Sequence, residues 1–260
     1  MAVIKIALVQ MDICRGPKEN LKRSLEMIDD AVKDGADIIC LPELFMTGFD
    51  YDFINVHSEG TPNEVTDILS RRADEADIYI LAGSIPEKVG DEIYNTSVLF
   101  GRDGRILGSY SKIHLFSQMG EKKNFTHGKE VRVFDTDFGT IGITICYDLR
   151  FPELFRKLSL MGAELIFVPS EFPVPKLDHW RTLLKARAIE NQIYVVGINR
   201  VGKDDTSRFF GHSMVVDPGG NILKEAGEGE EIIYGSIDLE NVEKVREKIF
   251  YLDDRISDLY

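Results

Sequence analysis

The feature that most constrains the fold of this chain is an internal duplication. Four segments of the first half recur in the second half in the same order. The paired segments are 7–12 with 143–148, 35–43 with 162–170, 78–83 with 193–197, and the hairpin at 97–107 with that at 213–223. Apolar runs and alternation predict strands in these segments, and apolar residues at helical spacing predict helices between them. One unit of strand, helix, strand, helix, strand and hairpin therefore occurs twice.

A unit of this kind needs a cover for the second face of its sheet. Right-handed crossover connections place both helices of a unit on one face of its sheet. The strand at Asp37–Leu41 is apolar without alternation, so its other face must also be buried. The other half of the chain is the natural cover. We therefore predict an α/β fold, a four-layer α-β-β-α sandwich with internal pseudo-twofold duplication, formed by a single domain over residues 1–260.

Composition and charge exclude several classes of protein. The formal net charge is −13 and the Lys and Arg residues are scattered, so we expect neither a nucleic acid nor a membrane as a partner. No stretch of about 18 apolar residues predicts a membrane span. The N-terminus opens directly into a strand pattern rather than a signal peptide. We therefore expect a cytoplasmic protein.

The cysteines point to the same compartment. Cys14, Cys40 and Cys146 are an odd number and lack the spacing of a metal site. This usage favours a reducing compartment over a disulfide framework. Nothing in the sequence suggests a metal or another cofactor, so we expect none.

Cys146 lies where a buried strand turns into a helix. The strand is apolar at Ile141, Ile143 and Ile145, and Pro152 suits the first turn of the helix. Unpaired N–H groups and the positive end of the helix dipole favour a thiolate at such a turn. The alternative is a cysteine packed as a small apolar residue at the end of a strand.

Two other polar residues end strands at corresponding places in the duplicated unit. Glu43 ends the second strand, and Lys112 follows the strand at Ile106–Tyr110. In open α/β sheets, ligands bind at this edge. Taken singly, Glu43 is explained as a helix cap, Lys112 as a surface charge and Cys146 as part of the core. Together they supply a base, a fixed positive charge and a nucleophile.

Three blocks around these residues resemble the signature sequences of the nitrilase, or carbon–nitrogen hydrolase, superfamily, and the resemblance covers essentially the whole chain. The blocks are Leu41–Phe45, Tyr110–Phe116 and Ile145–Glu153. The resemblance implies the fold described above and a catalytic triad of Glu43, Lys112 and Cys146. It also implies a second glutamate, which we assign to Glu121. This residue precedes a Phe-x-x-Gly stretch at 125–128, in which His127 replaces the usual proline.

The resemblance implies roles that amide hydrolysis requires. Cys146 attacks the amide carbon to form a thioester. Glu43 accepts the thiol proton and later donates it to the departing ammonia. Lys112 and the backbone N–H of Tyr147 hold the oxyanion. Glu121 orients the lysine or the water that cleaves the thioester.

Further resemblance indicates a substrate class. Segments 178–192, 211–218 and 254–260 most resemble ω-amidases, which release ammonia from 2-oxoglutaramate and 2-oxosuccinamate. Such a substrate carries a carboxylate, which an arginine can bind with two hydrogen bonds. We select Arg150, because carbamoyl-amino-acid hydrolases of the superfamily use an arginine at this place. The structural alternative is an ion pair of Arg150 with Glu153 or Asp148.

Other functions and the assembly stay open at this point. An N-carbamoyl-amine or N-carbamoyl-amino-acid hydrolase would release carbon dioxide together with ammonia. A non-catalytic interaction module is a third possibility, against which the intact triad argues. The aromatic C-terminal tail, about 249–260, is predicted to dock on the protein's own body or on a partner subunit. The resemblance implies a homodimer or a higher homo-oligomer.

Overall fold

The order of the elements follows the duplicated unit. The computed structural model describes residues 3–13 and 16–259, so Cys14 and Tyr260 lie outside the described residues. The strands are β1 (Ile4–Gln10), β2 (Ile38–Cys40), β3 (Tyr79–Leu81), β4 (Ile85–Val89), β5 (Glu92–Phe100), β6 (Ile106–Ser111), β7 (Val133–Thr136), β8 (Gly139–Ile143), β9 (Leu165–Ser170), β10 (Tyr194–Asn199), β11 (Val201–Lys203), β12 (Arg208–Phe210), β13 (Met214–Val216), β14 (Ile222–Glu225) and β15 (Glu231–Ile237). The α-helices are α1 (Pro17–Lys33), α2 (Tyr51–His57), α3 (Glu64–Ala76), α4 (Glu121–Asn124), α5 (Pro152–Leu160), α6 (Leu177–Asn191) and α7 (Glu240–Arg246). Short 3₁₀ helices span Ser117–Met119, Cys146–Arg150 and Ser257–Leu259.

The two main sheets have equivalent strand orders, which confirms the duplication. In the first sheet β1, β2 and β3 run parallel, and β5 and β6 follow antiparallel. In the second sheet β8, β9 and β10 run parallel, and β13 and β14 follow antiparallel in the same positions. Each sheet also has an antiparallel strand beside its first parallel strand, β15 on β1 and β7 on β8.

Alternate side chains of β1 point to different layers. Ile6 and Leu8 share an apolar core with Phe167 of the second sheet. Ala7 and Val9 lie in a separate cluster with buried residues of α1 and α3. On the outer face of the second sheet, α5 and α6 supply buried apolar side chains in the same way. The layers are helix, sheet, sheet and helix, so the predicted four-layer sandwich is confirmed.

The last strand departs from the duplicated unit. After the second hairpin the chain returns to the first sheet, where β15 pairs with β1 from Ile4 opposite Ile237 to Gln10 opposite Glu231. The side chains of β15 are mostly half buried, so its apolar pattern is weak and the sequence did not indicate it. This strand fastens the end of the second half to the beginning of the first.

The C-terminal tail leaves its apolar side chains exposed. Phe250 is 56% exposed and Leu259 is 73% exposed. The start of the tail is held, because Gln192 Nε2 donates a hydrogen bond to the carbonyl oxygen of Ile249 at 2.7 Å. Docking on the protein's own body is therefore wrong for these side chains. Docking on a partner subunit stays a prediction.

Gly197 in β10 allows α6 to pack closely on the second sheet. An added Cβ would lie 2.5 Å from Cζ2 of Trp180 and 2.8 Å from Cδ1 of Leu184. Gly197→Ala must therefore displace α6, and we expect it to lower the free energy of unfolding by about 1–3 kcal/mol in urea denaturation. Gly229→Ala is the control, since an added Cβ there meets nothing within 4 Å. Equal stabilities of the two variants would contradict this packing argument.

Candidate active site

The residues that the sequence singled out lie just beyond the ends of three strands. Glu43 lies three residues after β2, Lys112 follows β6 directly, and Cys146 lies three residues after β8. Cys146 has a left-handed φ of 46°. The 3₁₀ helix that begins at Cys146 precedes α5, which begins at Pro152. The five-residue 3₁₀ helix therefore separates the cysteine from the N-terminus of α5, whereas the sequence predicted that the strand turns directly into that helix.

Lys112 lies between two buried carboxyl groups. Its Nζ is 2.8 Å from Oε1 of Glu43 and 2.7 and 2.9 Å from the two carboxyl oxygens of Glu121. All three side chains are at most 1% exposed. The ammonium group therefore has a fixed position, because any displacement would break charge-assisted hydrogen bonds in a water-poor cavity.

Burial and charge act in opposite directions on this cluster. Burial alone lowers the pKa of Lys112, but Glu121 and Glu43 more than offset it and hold that pKa well above its usual value. Burial raises the pKa of Glu121, Lys112 opposes the rise, and the charge of Glu43 adds to it. Lys112 is therefore a permanent positive charge, while Glu121 binds a proton more readily than an exposed carboxyl does.

The thiol of Cys146 lies within electrostatic reach of the same three groups and is 8% exposed. Burial raises the pKa of this thiol well above its usual value. The charge of Glu43 and hydrogen bonding to it also raise this pKa, whereas Lys112 lowers it. The thiolate that the sequence predicted is therefore not favoured at rest. The proton stays on sulfur, within hydrogen-bond reach of the Glu43 side chain.

Two further groups, which the sequence analysis did not select, hold Glu43. Asn95 Nδ2 on β5 donates to Oε1 of Glu43 at 2.9 Å, and the backbone N–H of Glu171 donates to Oε2 at 3.0 Å. Asn95 is a polar residue at a buried position of its strand, which is a weak sequence signal. Glu171 follows Ser170, the residue that corresponds to Glu43 in the second copy of the unit. The duplication could therefore have predicted that the segment at Ser170 and Glu171 lies at the site, because it is equivalent to the segment that bears Glu43.

A family model matches most of the chain. The model described as carbon-nitrogen hydrolase matches residues 5–247. The chain belongs to the carbon–nitrogen hydrolase family. It is a hydrolase that acts on the non-peptide carbon–nitrogen bonds of amides.

Individual relatives of this hydrolase extend over its whole length. It is 38% identical to 2-oxoglutaramate amidase of Bacillus subtilis (strain 168) over 98% of each chain. It is 36% identical to omega-amidase NIT2 of Mus musculus, over 100% of this chain and 98% of the relative. Nit3 of Saccharomyces cerevisiae, a member of branch 10 of the nitrilase superfamily, superimposes with a TM-score of 0.88 at 36% identity, covering 95% of this chain and 94% of that one. The family assignment made from the three sequence blocks is confirmed.

Asp148 ties the turn that bears the cysteine to the segment that bears the lysine. Its buried carboxylate accepts hydrogen bonds from the hydroxyl of Tyr110 at 2.7 Å and from the N–H groups of His114 and Ile145 at 2.9 Å. Tyr110 and His114 flank Lys112 by two residues on each side, and Ile145 precedes the cysteine. One carboxylate thus fixes the backbone of both reactive segments relative to each other.

Arg150 has no acidic partner among the described residues. The carboxylate of Asp148 is occupied by the hydrogen bonds given above, and no ion pair joins Arg150 to Glu153 in the described ranges. The guanidinium instead lies 5.2 Å from the ring centroid of Phe172 and 6.0 Å from that of Tyr147. The structural ion pair considered for Arg150 is therefore not formed among the described residues.

Neither a metal-binding cluster nor a membrane-spanning helix is found among the described residues. Within residues 3–13 and 16–259, no group of three or more His, Cys, Asp or Glu side chains is arranged to hold a metal ion. None of the helices in those ranges combines the length and apolar character that crossing a bilayer requires.

Glu171 adds a third buried carboxyl group beside Glu43. Its Oε2 accepts a hydrogen bond from Nη1 of Arg200 at 2.8 Å. Burial raises the pKa of Glu171 to about 8, Arg200 opposes the rise, and the charge of Glu43 adds to it. At neutral pH this carboxyl group therefore holds a proton for much of the time.

Glu171→Gln should change how stability depends on pH. The ordinary pKa of the carboxyl is 4.5 and the folded value is about 8, so between these values the folded protein holds a proton that the unfolded chain has lost. This contribution to stability is complete below pH 4.5 and is lost as the pH rises through 8. In urea denaturation from about pH 5 to about pH 8.5, the natural protein should lose stability relative to Glu171→Gln. Parallel pH curves for the two proteins would rule out this assignment.

Proposed function

We propose that this hydrolase is a cysteine-dependent amidase that converts a small ω-amide, such as 2-oxoglutaramate or 2-oxosuccinamate, to the acid and ammonia through a thioester. The observation that carries the proposal is the buried cluster in which the Cys146 thiol lies within electrostatic reach of the Glu43 carboxylate and the Lys112 ammonium. These groups supply a nucleophile, a proton acceptor and a fixed positive charge, which together suffice for acyl transfer.

In the first step the amide carbon is attacked by sulfur. Glu43 takes the proton from the Cys146 thiol as sulfur bonds to the carbonyl carbon, and the carbonyl oxygen becomes an oxyanion. The Lys112 ammonium and the backbone N–H of Tyr147 stabilise that oxyanion, a contribution of about 3–4 kcal/mol per donor. The carbon–nitrogen bond then breaks, the nitrogen takes the proton from Glu43, and ammonia leaves a thioester on Cys146.

In the second step water cleaves the thioester. Glu43 accepts a proton from the water as its oxygen bonds to the acyl carbon, and the same two donors stabilise the new oxyanion. The carbon–sulfur bond breaks, sulfur recovers the proton from Glu43, and the acid is released. Glu121 acts through Lys112, because its two oxygens hold the ammonium at 2.7 and 2.9 Å and so fix where the oxyanion must form.

Arg150 is the proposed partner of the substrate carboxylate. It lies four residues after Cys146, has no acidic partner in the described chain, and rests on the rings of Tyr147 and Phe172. Aromatic faces leave the edge of the guanidinium free for a bidentate contact. The names of the relatives, a 2-oxoglutaramate amidase and an omega-amidase, support a substrate that carries such a carboxylate.

The proposal extends to assembly and compartment. We expect a homodimer or a higher homo-oligomer in which the tail from 249 docks on a partner subunit, because its apolar side chains are exposed on one chain. We also expect a cytoplasmic location. Cys40 and Cys146 are both free thiols, which fits a reducing compartment.

Cys146→Ala should abolish turnover and leave the fold intact. The variant loses the nucleophile, so ammonia release from 2-oxoglutaramate should fall by about 10⁴-fold or more, with an unchanged circular dichroism spectrum. Cys40→Ala is the matched control, because Cys40 is also a buried thiol, lies in β2 and should be dispensable for turnover. Substantial ammonia release by the folded Cys146→Ala protein would refute the mechanism.

Arg150→Met should separate anionic substrates from neutral ones. Loss of a charge-assisted contact of about 1.5–3 kcal/mol should raise KM for 2-oxoglutaramate by about 10- to 100-fold. A neutral amide of similar length should show little change in KM. The ammonia assay is run in parallel with carbon dioxide detection on an N-carbamoyl amino acid. Equal effects on both amides would remove Arg150 from substrate binding, and release of both gases from the carbamoyl compound would favour the carbamoyl hydrolase instead.

A further inference from the structure

We propose that Arg200, acting through Glu171, is a positioning residue for Glu43. The inference rests on the proposed function, in which Glu43 moves the proton. Glu43 belongs to the first half of the chain, whereas Glu171 follows β9 and Arg200 follows β10 in the second half. The second half would thus orient Glu43 of the first half toward Cys146, which the second half also provides.

Asn199, the last residue of β10, and Arg200, which follows it, hold the two consecutive residues that follow β9. Arg200 Nη1 donates to the side chain of Glu171 at 2.8 Å. Asn199 Oδ1 accepts from the N–H of Phe172 at 2.7 Å, and its Nδ2 donates to the carbonyl oxygen of Phe172 at 3.1 Å. The backbone at 171–172 therefore has a fixed direction. That direction sets the N–H of Glu171, which donates to Oε2 of Glu43 at 3.0 Å.

The surroundings of Arg200 are unusual for a residue that serves stability alone. The side chain is 1% exposed, and its guanidinium carbon lies 4.3 Å from the ring centroid of Phe209. Nη2 is 3.6 Å from Oδ1 of Asp12, beyond the end of β1, and makes no hydrogen bond within the described residues. A buried guanidinium with an incompletely satisfied fork is weak evidence for a gain in stability. Arg200 contacts the side chain of Glu171, the residue whose N–H donates to Glu43, and this contact gives the guanidinium a role other than stability.

The division of contacts predicts which kinetic constant responds. Arg200 holds Glu171, whose N–H contacts the base. Asn199 independently holds Phe172, whose ring carries Arg150 at 5.2 Å. Loss of Arg200 should therefore disturb proton transfer and leave the proposed carboxylate site in place.

Arg200→Met tests this division. The fold should survive, because Glu171 is able to keep its proton when the guanidinium is gone. We expect kcat for 2-oxoglutaramate to fall by about tenfold, the effect of losing one hydrogen bond to a charged group, with KM changed by less than about twofold. Arg200→Lys retains a donor and should recover part of the loss. Arg181→Met is the control, since it removes a 2.6 Å ion pair with Glu225, and no hydrogen bond or ion pair joins either residue to Glu43 or Glu171 in the described chain. This variant should leave kcat unchanged.

A second measurement does not depend on the substrate. The alkylation rate of Cys146 by iodoacetamide, followed by mass spectrometry of the intact chain across pH, reports how well the thiol loses its proton. In Arg200→Met this rate should fall by about tenfold at neutral pH and its profile should shift to higher pH. An unchanged kcat or an unchanged alkylation profile in the folded variant would overturn the positioning role. If Cys146 of the natural protein reacts no faster than Cys40, the proposed function itself fails and the positioning role fails with it.

Discussion

A buried ammonium group between two buried carboxylates is the interaction on which the rest of the structure depends. Each ion taken from water into a low-dielectric interior costs several kcal/mol, so Lys112, Glu43 and Glu121 are tolerable only as a set. Two carboxylates against one ammonium still leave an excess negative charge. Asn95 Nδ2 and the N–H of Glu171 stabilise this excess negative charge, because both donate hydrogen bonds to Glu43. The cluster therefore dictates where the loops after β2, β6 and β9 must lie.

The duplication explains why one cavity collects these groups. Packing two equivalent sheets face to face brings the loop-side end of β2 and that of β8 to a common edge. The first half supplies Glu43 and Lys112, and the second supplies Cys146 and the N–H of Glu171. Neither half holds a complete site. The pairing of β15 with β1 fastens the two halves, so the groups of this cluster are kept together by the same packing that buries the core.

How much the sequence could predict depended on the range of the interaction. The strands predicted at Asp37–Leu41 and Ile106–Tyr110 follow from local apolar patterns, and the structure has β2 at Ile38–Cys40 and β6 at Ile106–Ser111. The strand β15 was not predicted, because its half-buried side chains weaken the apolar pattern of its sequence. Asn95 and Glu171 contact Glu43 from 52 and 128 positions away, and no local pattern encodes such contacts. The charge state of Cys146 was mispredicted for a related reason, since burial outweighs the helix dipole there and only tertiary packing sets burial.

The raised pKa of the thiol is consistent with the proposed chemistry once the charge of the whole cavity is counted. A resting thiolate would add a second uncompensated negative charge beside Glu43 and Glu121, which the burial of Cys146 penalises. Transfer of the proton from sulfur to Glu43 leaves the net charge of the cluster unchanged, so no additional buried charge has to be desolvated. As sulfur bonds to carbon, the negative charge passes to the carbonyl oxygen, where Lys112 would meet it. The same burial that disfavours the free thiolate thus couples its formation to the presence of a substrate carbonyl.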